Sequence, residues 1–257
     1  MAGSKKYKAK FYYLVMTLFA VAITISCSKK VNSANLQPYN NPPSSMDTSV
    51  IPPSSTDTFI KTYLALGDSY TIGESVPVAD RYPNQTVELL KSENIKISDP
   101  EFIATTGWTT GNLINALNLK SPRNNYSLVS LLIGVNNQYR GQSIEEYKTE
   151  FTLLVNRSIK YAGNNKSKVF VLSIPDYSVT PFANHLDKIK IANEIDSFNA
   201  ANKAISDDLG VNYIDITSIS KEALDDPGLI ANDRLHPSGE QYKRWAELLA
   251  PMMKKSL

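Results

Sequence analysis

Across its 257 residues the chain carries 27 basic and 25 acidic side chains, but Lys5, Lys6, Lys8 and Lys10 sit in residues 1–26 with no acid among them. The other 23 bases against 25 acids give about −2, and no basic patch interleaved with aromatics remains to hold nucleic acid. A single cysteine excludes an internal disulfide, and with only two histidines it argues against a zinc site.

Residues 1–26 follow those lysines with an uncharged run from Phe11 to Ser26, a charged n-region before an apolar h-region. The run is shorter than the roughly 20 residues of a spanning helix, so it reads as an export signal. It ends at Thr24-Ile25-Ser26-Cys27, which resembles the lipobox of bacterial lipoproteins, with Thr24 where that pattern has Leu, Val or Ile. The expectation is an exported lipoprotein of the cell envelope or cell surface, held to the membrane through lipid on Cys27; an uncleaved signal anchor is the alternative. Residues 27–58 are rich in Pro, Ser, Asn and Thr, and repeat Pro42-Pro43-Ser44-Ser45-Met46-Asp47-Thr48 as Pro52-Pro53-Ser54-Ser55-Thr56-Asp57-Thr58. With too few apolar groups to offset the entropy of ordering, they read as a disordered tether. A coil of the 31 residues from Ser28 to Thr58 spans typically ~30 Å.

Residues 59–257 suffice for one domain with a substantial core. Apolar, β-rich runs alternate there with segments of helical period, as in a βα repeat with a parallel sheet. Ile60 to Leu66 is the first strand, and Tyr82 to Ser92 reads as a helix with Val87 and Leu90 inward. Phe102 to Ala104 is a short strand before Thr105-Thr106-Gly107-Trp108 and a helix through Leu113 and Leu117. Leu128 to Ile133 is the clearest buried strand and runs into Gly134-Val135-Asn136-Asn137. Ser143 and Glu146 predict a capping box, opening a helix with Ile144, Tyr147, Phe151, Leu154 and Ile159 on one face. Val169 to Ile174 is the fourth strand, ended by Pro175. The helix that follows carries Ile191, Ile195, Phe198, Ile205 and Leu209 and stops at Gly210. Val211 to Ile216 is the fifth strand. Ser238 with Gln241 predicts a second capping box, and a last helix that buries Tyr242, Trp245, Leu249 and Met252.

The first strand breaks into Gly67-Asp68-Ser69-Tyr70 at its carboxyl end, where open α/β sheets bind ligands. Alone, that stretch is a turn. Near the other end of the chain, Asp233-Arg234-Leu235-His236-Pro237-Ser238 supplies a carboxylate and an imidazole three residues apart. A serine hydroxyl is a weak nucleophile and needs a base within hydrogen-bonding reach, and imidazole titrates close enough to neutrality to take the proton and return it. Asp233 can fold back onto Nδ1 of His236 and turn Nε2 toward Ser69. His185 has no matching carboxylate and reads as a surface residue.

Gly67-Asp68-Ser69, Gly107, Gly134-Val135-Asn136 and Asp233-Arg234-Leu235-His236 stand in the order and approximate spacing of the four blocks of the SGNH (GDSL-type) hydrolase superfamily, which this chain resembles from about Thr62 to Leu249. The resemblance implies a three-layer, flavodoxin-like α/β fold, with a five-stranded parallel sheet between helices. It also implies hydrolysis of esters, thioesters or related acyl bonds without a cofactor, by a Ser69-His236-Asp233 triad. The oxyanion would be met by the N–H groups of Ser69 and Gly107 and the amide of Asn136. One departure is Asn137, where the family usually has Asp: size and one acceptor are kept and the charge is lost. Asp68, Tyr70, Trp108 and Asn137, together with Arg81-Tyr82-Pro83, are expected as substrate contacts, although Trp108 could equally cap the core.

An α/β-hydrolase elbow is disfavoured because Thr71 stands where its second glycine belongs, and no G-x-G-x-x-G follows the first strand. The expected substrate is an ester, first a short acyl group on a glycan, since a tethered surface enzyme meets polymers. A lysophospholipid or other lipid ester is second. A non-catalytic carbohydrate-binding module is the reading from another class, opposed by the intact triad. The domain is expected to be a monomer.

Overall fold

The computed structural model describes residues 59–257; the expected signal, Cys27 and the tether lie outside the described residues. In chain order the domain runs β1 (Tyr63–Gly67), α1 (Ser69–Ile72), α2 (Tyr82–Ser92), β2 (Glu101–Ala104), α3 (Thr110–Lys120), β3 (Leu128–Leu132) and α4 (Val135–Tyr139). It continues with α5 (Ile144–Tyr161), β4 (Val169–Leu172), α6 (Lys188–Leu209), β5 (Asn212–Ile214), α7 (Thr217–Lys221) and α8 (Gly239–Lys254).

All five strands pair in parallel in the order β2-β1-β3-β4-β5, with Leu66 level with Ile103 on one side and Leu131 on the other. A strand buried on both faces needs an unbroken apolar run, and Tyr63, Leu64, Ala65 and Leu66 of β1 are all fully buried. The crossover from β1 to β2 runs one way along the sheet and every later crossover runs the other way. Right-handed connections therefore put α2 on one face and α3, α5 and α6 on the other. The packing agrees: α8 lies against α2, and α5 against both α3 and α6. The reversal falls between β1 and β3, the switch point at which such sheets open a crevice. Ser69 and Asn136 stand just beyond the ends of those two strands.

Both predicted capping boxes are half formed. Ser143 accepts from the N–H of Glu146 at 3.1 Å, but the exposed Glu146 carboxylate stays in solvent. Ser238 likewise accepts from Gln241, whose own buried amide goes instead to the carbonyl of Leu229 at 3.2 Å. The innermost residue near the end of α8 is Met253, fully buried, while Met252 is half-buried against the edge of the core. Eleven residues from Tyr242 come back to the same face after about three turns, whereas ten fall well short of it.

Tyr82 and Pro83 belong to the core, which corrects their expected role as substrate contacts. The Tyr82 hydroxyl is 3.3 Å from Ser130 Oγ, itself 2.7 Å from the hydroxyl of Tyr63. Tyr82 also packs on Tyr242 and Trp245 of α8, while Arg81 lies over the ring of Phe102.

Candidate active site

Ser69 follows β1 past a tightly packed glycine, Gly67. A Cβ on Gly67 would fall 2.1 Å from Thr71 Oγ1 and 2.2 Å from the carbonyl oxygen of Leu132, so only glycine lets α1 start directly above β3. Asp68 caps that helix, accepting the N–H of Tyr70 at 3.0 Å, and is 1% exposed. Burial outweighs that hydrogen bond and pushes the Asp68 carboxyl up to about 7.

His236 comes from the loop before α8, and Asp233 builds that loop. Asp233 Oδ1 accepts the N–H groups of Leu235 and His236, each at 3.0 Å. Its Oδ2 lies 2.5 Å from His236 Nδ1 and accepts the hydroxyl of Ser75 at 2.7 Å. Burial would raise this carboxyl, but the hydrogen bonds from the His236 ring, Leu235, Ser75 and the His236 amide win and hold it at about 2. With Nδ1 engaged by the carboxylate, Nε2 is the ring nitrogen left to accept a proton. The ring packs against Tyr70, centroids 5.0 Å apart.

Gly107 is the third residue of a turn closed by the Trp108 N–H on the carbonyl of Thr105, and its φ of +79° is what a type II turn demands there. Arg140 Nη2 donates to the Gly107 carbonyl at 2.6 Å. Asn136 Nδ2 donates one hydrogen to the carbonyl of Trp108 at 3.0 Å, leaving its second for a ligand.

Ser69, Asn136 and His236 line one cavity of about 130 Å³. No hydrogen bond joins the Ser69 and His236 side chains among the described residues; such contacts commonly tighten only when substrate is bound. Tyr139, Tyr177 and Phe182 form one wall, their ring centroids 6.1–6.3 Å apart, and Tyr70 lines the cavity as well. The three wall aromatics were not singled out from the sequence, although each follows the end of β3 or β4 and two stand exposed.

Other expected contacts lie elsewhere. Asp68 sits beneath Ser69, outside the cavity lining, and Trp108 packs against the hydrophobic core with only its carbonyl turned to Asn136. Asn137 is fully buried: its Oδ1 accepts the Thr110 N–H at 3.1 Å, and its Nδ2 donates to Thr110 Oγ1 at 2.6 Å. The Thr110 hydroxyl in turn donates its hydrogen bond to Glu150 Oε2, so a carboxylate stands one step away from the position where the family usually has one. His185 is exposed.

This arrangement can perform nucleophilic acyl chemistry, with a hydroxyl, a carboxylate-oriented imidazole and amide donors around one cavity. A sequence model of the GDSL-like Lipase/Acylhydrolase family matches residues 65–244. The chain belongs to that family. The domain of this GDSL-like acylhydrolase is therefore that of a carboxylic ester hydrolase. No curated protein matches its sequence.

Solved structures share its fold at low identity. TesA is 17% identical with a TM-score of 0.60, over 77% of this chain and 100% of that one. Axe2, an acetylxylan esterase from Geobacillus stearothermophilus, is 20% identical with a TM-score of 0.57, over 75% of this chain and 94% of its own. The psychrotrophic esterase EstA from Pseudoalteromonas sp., in a structure inhibited by monoethylphosphonate, is 19% identical with a TM-score of 0.56, over 76% and 97%.

Proposed function

We propose that this acylhydrolase is an exported, lipid-anchored serine esterase that removes short acyl groups, with acylated glycans as its first substrates. The supporting observation is that the carboxylate-bound His236 opens onto the same cavity as Ser69 and Asn136. His236 Nε2 takes the Ser69 proton as Oγ attacks the ester carbonyl. The oxyanion gathers on the N–H groups of Ser69 and Gly107 and on the spare hydrogen of Asn136. The imidazolium, stabilised by Asp233, then protonates the leaving alkoxide, and water repeats the cycle on the acyl-enzyme.

Size supports the short acyl group. A cavity of about 150 Å³ holds one benzene, so about 130 Å³ suits a chain of a few carbons or one ring, and a long fatty chain would project from it. The aromatic wall favours a second reading, a lipid ester whose chain continues across the exposed faces of Tyr139 and Phe182. A panel of esters varied in acyl length and alcohol separates them. The first reading expects kcat/KM to fall steeply beyond about four acyl carbons; a flat or rising series to twelve carbons would favour the lipid ester.

The chemistry of residues 1–27 supports the export and anchoring. Two or more acyl chains on Cys27 would make attachment durable, where one chain is marginal. Mass spectrometry of the purified membrane form should find lipidated Cys27 as the N terminus, and Cys27→Ser should change processing. An unmodified Cys27 within a longer chain would favour the signal anchor.

A further inference from the structure

Helix α1 is capped at its C-terminus by Gly73, and the loop leaving it turns back onto the site. The N–H groups of Gly73 and Glu74 both reach the carbonyl of Ser69, that of Glu74 at 3.0 Å. Glu74 Oε2 accepts the hydroxyl of Thr106, whose peptide bond to Gly107 carries the Gly107 N–H. Ser75 donates to Asp233 Oδ2 at 2.7 Å, the same oxygen that holds His236 Nδ1. Ser75 does so at φ +66°, an uncommon conformation for a residue with a side chain, although it is exposed and has no apolar packing to gain.

We propose that Glu74 and Ser75 form a positioning staple: Ser75 fixes the plane of the Asp233 carboxylate against His236, and Glu74 fixes the Thr106–Gly107 peptide, so one loop aligns the acid–base pair and the oxyanion donors with Ser69. The proposal rests on the triad and oxyanion assignment above. The need for it is physical. An aspartate's terminal torsion has a broad, weakly defined minimum, so hydrogen bonds and not a rotamer set the carboxylate plane. Asp233 Oδ1 is pinned by two backbone N–H groups, and the Ser75 hydroxyl is the second donor on Oδ2, beside the ring it must orient. The Gly107 turn is exposed at Thr105 and Thr106, and besides its own backbone closure it is held by Glu74 at Thr106, Arg140 at Gly107 and Asn136 at Trp108.

Ser75→Gly is the decisive variant, because glycine keeps the left-handed backbone while removing the exposed side chain with its hydroxyl. It should lower kcat on an acetyl ester by about 3–10-fold with KM unchanged, while Tm stays level or rises. In an Asp233→Asn background the same change should add less than about two-fold, since the two positions act as one unit. Glu74→Ala should cost about 3–10-fold in kcat, and Glu74→Gln, which keeps an acceptor for Thr106, should restore most of it. Wild-type kcat in Ser75→Gly, an undiminished loss on top of Asp233→Asn, or Glu74→Gln as poor as Glu74→Ala would each overturn the staple and leave the triad standing. Full activity of Asp233→Asn itself would overturn the triad assignment and the staple with it.

Discussion

Two aspartates, each beside a residue of the site, are driven in opposite directions by their surroundings. Asp68 precedes Ser69 and meets little but buried backbone, so its carboxyl is raised from 3.8 to about 7. Asp233, three residues before His236, is also partly buried, yet four hydrogen bonds hold it at about 2. The contrast shows where the fold wants charge. A permanent anion stabilises the imidazolium at His236, whereas an anion next to Ser69 would oppose the negative charge that develops in the transition state. One turn uses its carboxylate as chemistry and the other as a backbone cap.

The Asp233 side breaks with the largest effect. Ser69→Ala or His236→Ala should lower ester turnover by about 10³-fold or more while circular dichroism stays native. Asp233→Asn should follow, with up to about 10⁴-fold where the amide presents the wrong tautomer, but no more than the loss of Ser69. Turnover equal to wild type in a folded Asp233→Asn would mean that another group orients His236.

Asn136→Ala should come next, at about 10²–10³ in kcat with little change in KM, because its hydrogen bond strengthens as charge develops. The neighbouring Asn137 supplies the control. Both polar atoms of its side chain are used on Thr110, so Asn137→Ala should appear mainly as a stability loss of about 1–3 kcal/mol in denaturant titrations. A pure KM effect at Asn136, or equal kcat losses at both positions, would count against the oxyanion role.

The pH dependence of stability moves turnover least, and there the two aspartates should have opposite signs. For Asp68 the folded value lies above the unfolded one, so the fold holds that proton more tightly and loses stability as pH rises from about 4 to about 7, by roughly 3–5 kcal/mol at most. Asp68→Asn keeps the cap without the charge, and its Tm relative to wild type should rise across that window. For Asp233 the folded value lies below the unfolded one, so its contribution is present above about pH 4 and is lost as pH falls toward about 2. Asp233→Asn should therefore converge on wild type in Tm at the acid end. A Tm difference that ignores pH in Asp68→Asn would show that this carboxyl is not raised.

Much of this arrangement was legible in the sequence because its signals are local and periodic. Helix α2 runs from Tyr82 to Ser92 as its apolar spacing predicts, and all five strands fall within the predicted apolar runs apart from Gly67 at the end of β1 and Glu101 at the start of β2. Helices α1 and α4, with four and five residues, are too short to show a period and leave no such trace. The fourth strand stops two residues before its apolar run ends: Ser173 still donates its N–H to Ile214, but its hydroxyl turns to the N–H groups of Ile216 and Thr217. At the site, Asp233 and His236 are near neighbours in sequence and could be paired by spacing. Ser75 and Asp233 are 158 residues apart, and Tyr139, Tyr177 and Phe182 meet only because β3 and β4 are adjacent in the sheet. Asn137 looked like a ligand contact from its place in the motif, and burial, which sequence carries poorly for a polar residue, decides otherwise.

The central claim is that Ser69 is the nucleophile and that the Asp233–His236 pair activates it. Labelling with a fluorophosphonate followed by peptide mass spectrometry tests it most directly. One phosphonyl adduct on Ser69 is predicted, absent from Ser69→Ala and slowed by about 10²-fold or more in a folded His236→Ala. An adduct on another residue, or undiminished labelling of His236→Ala, would contradict it.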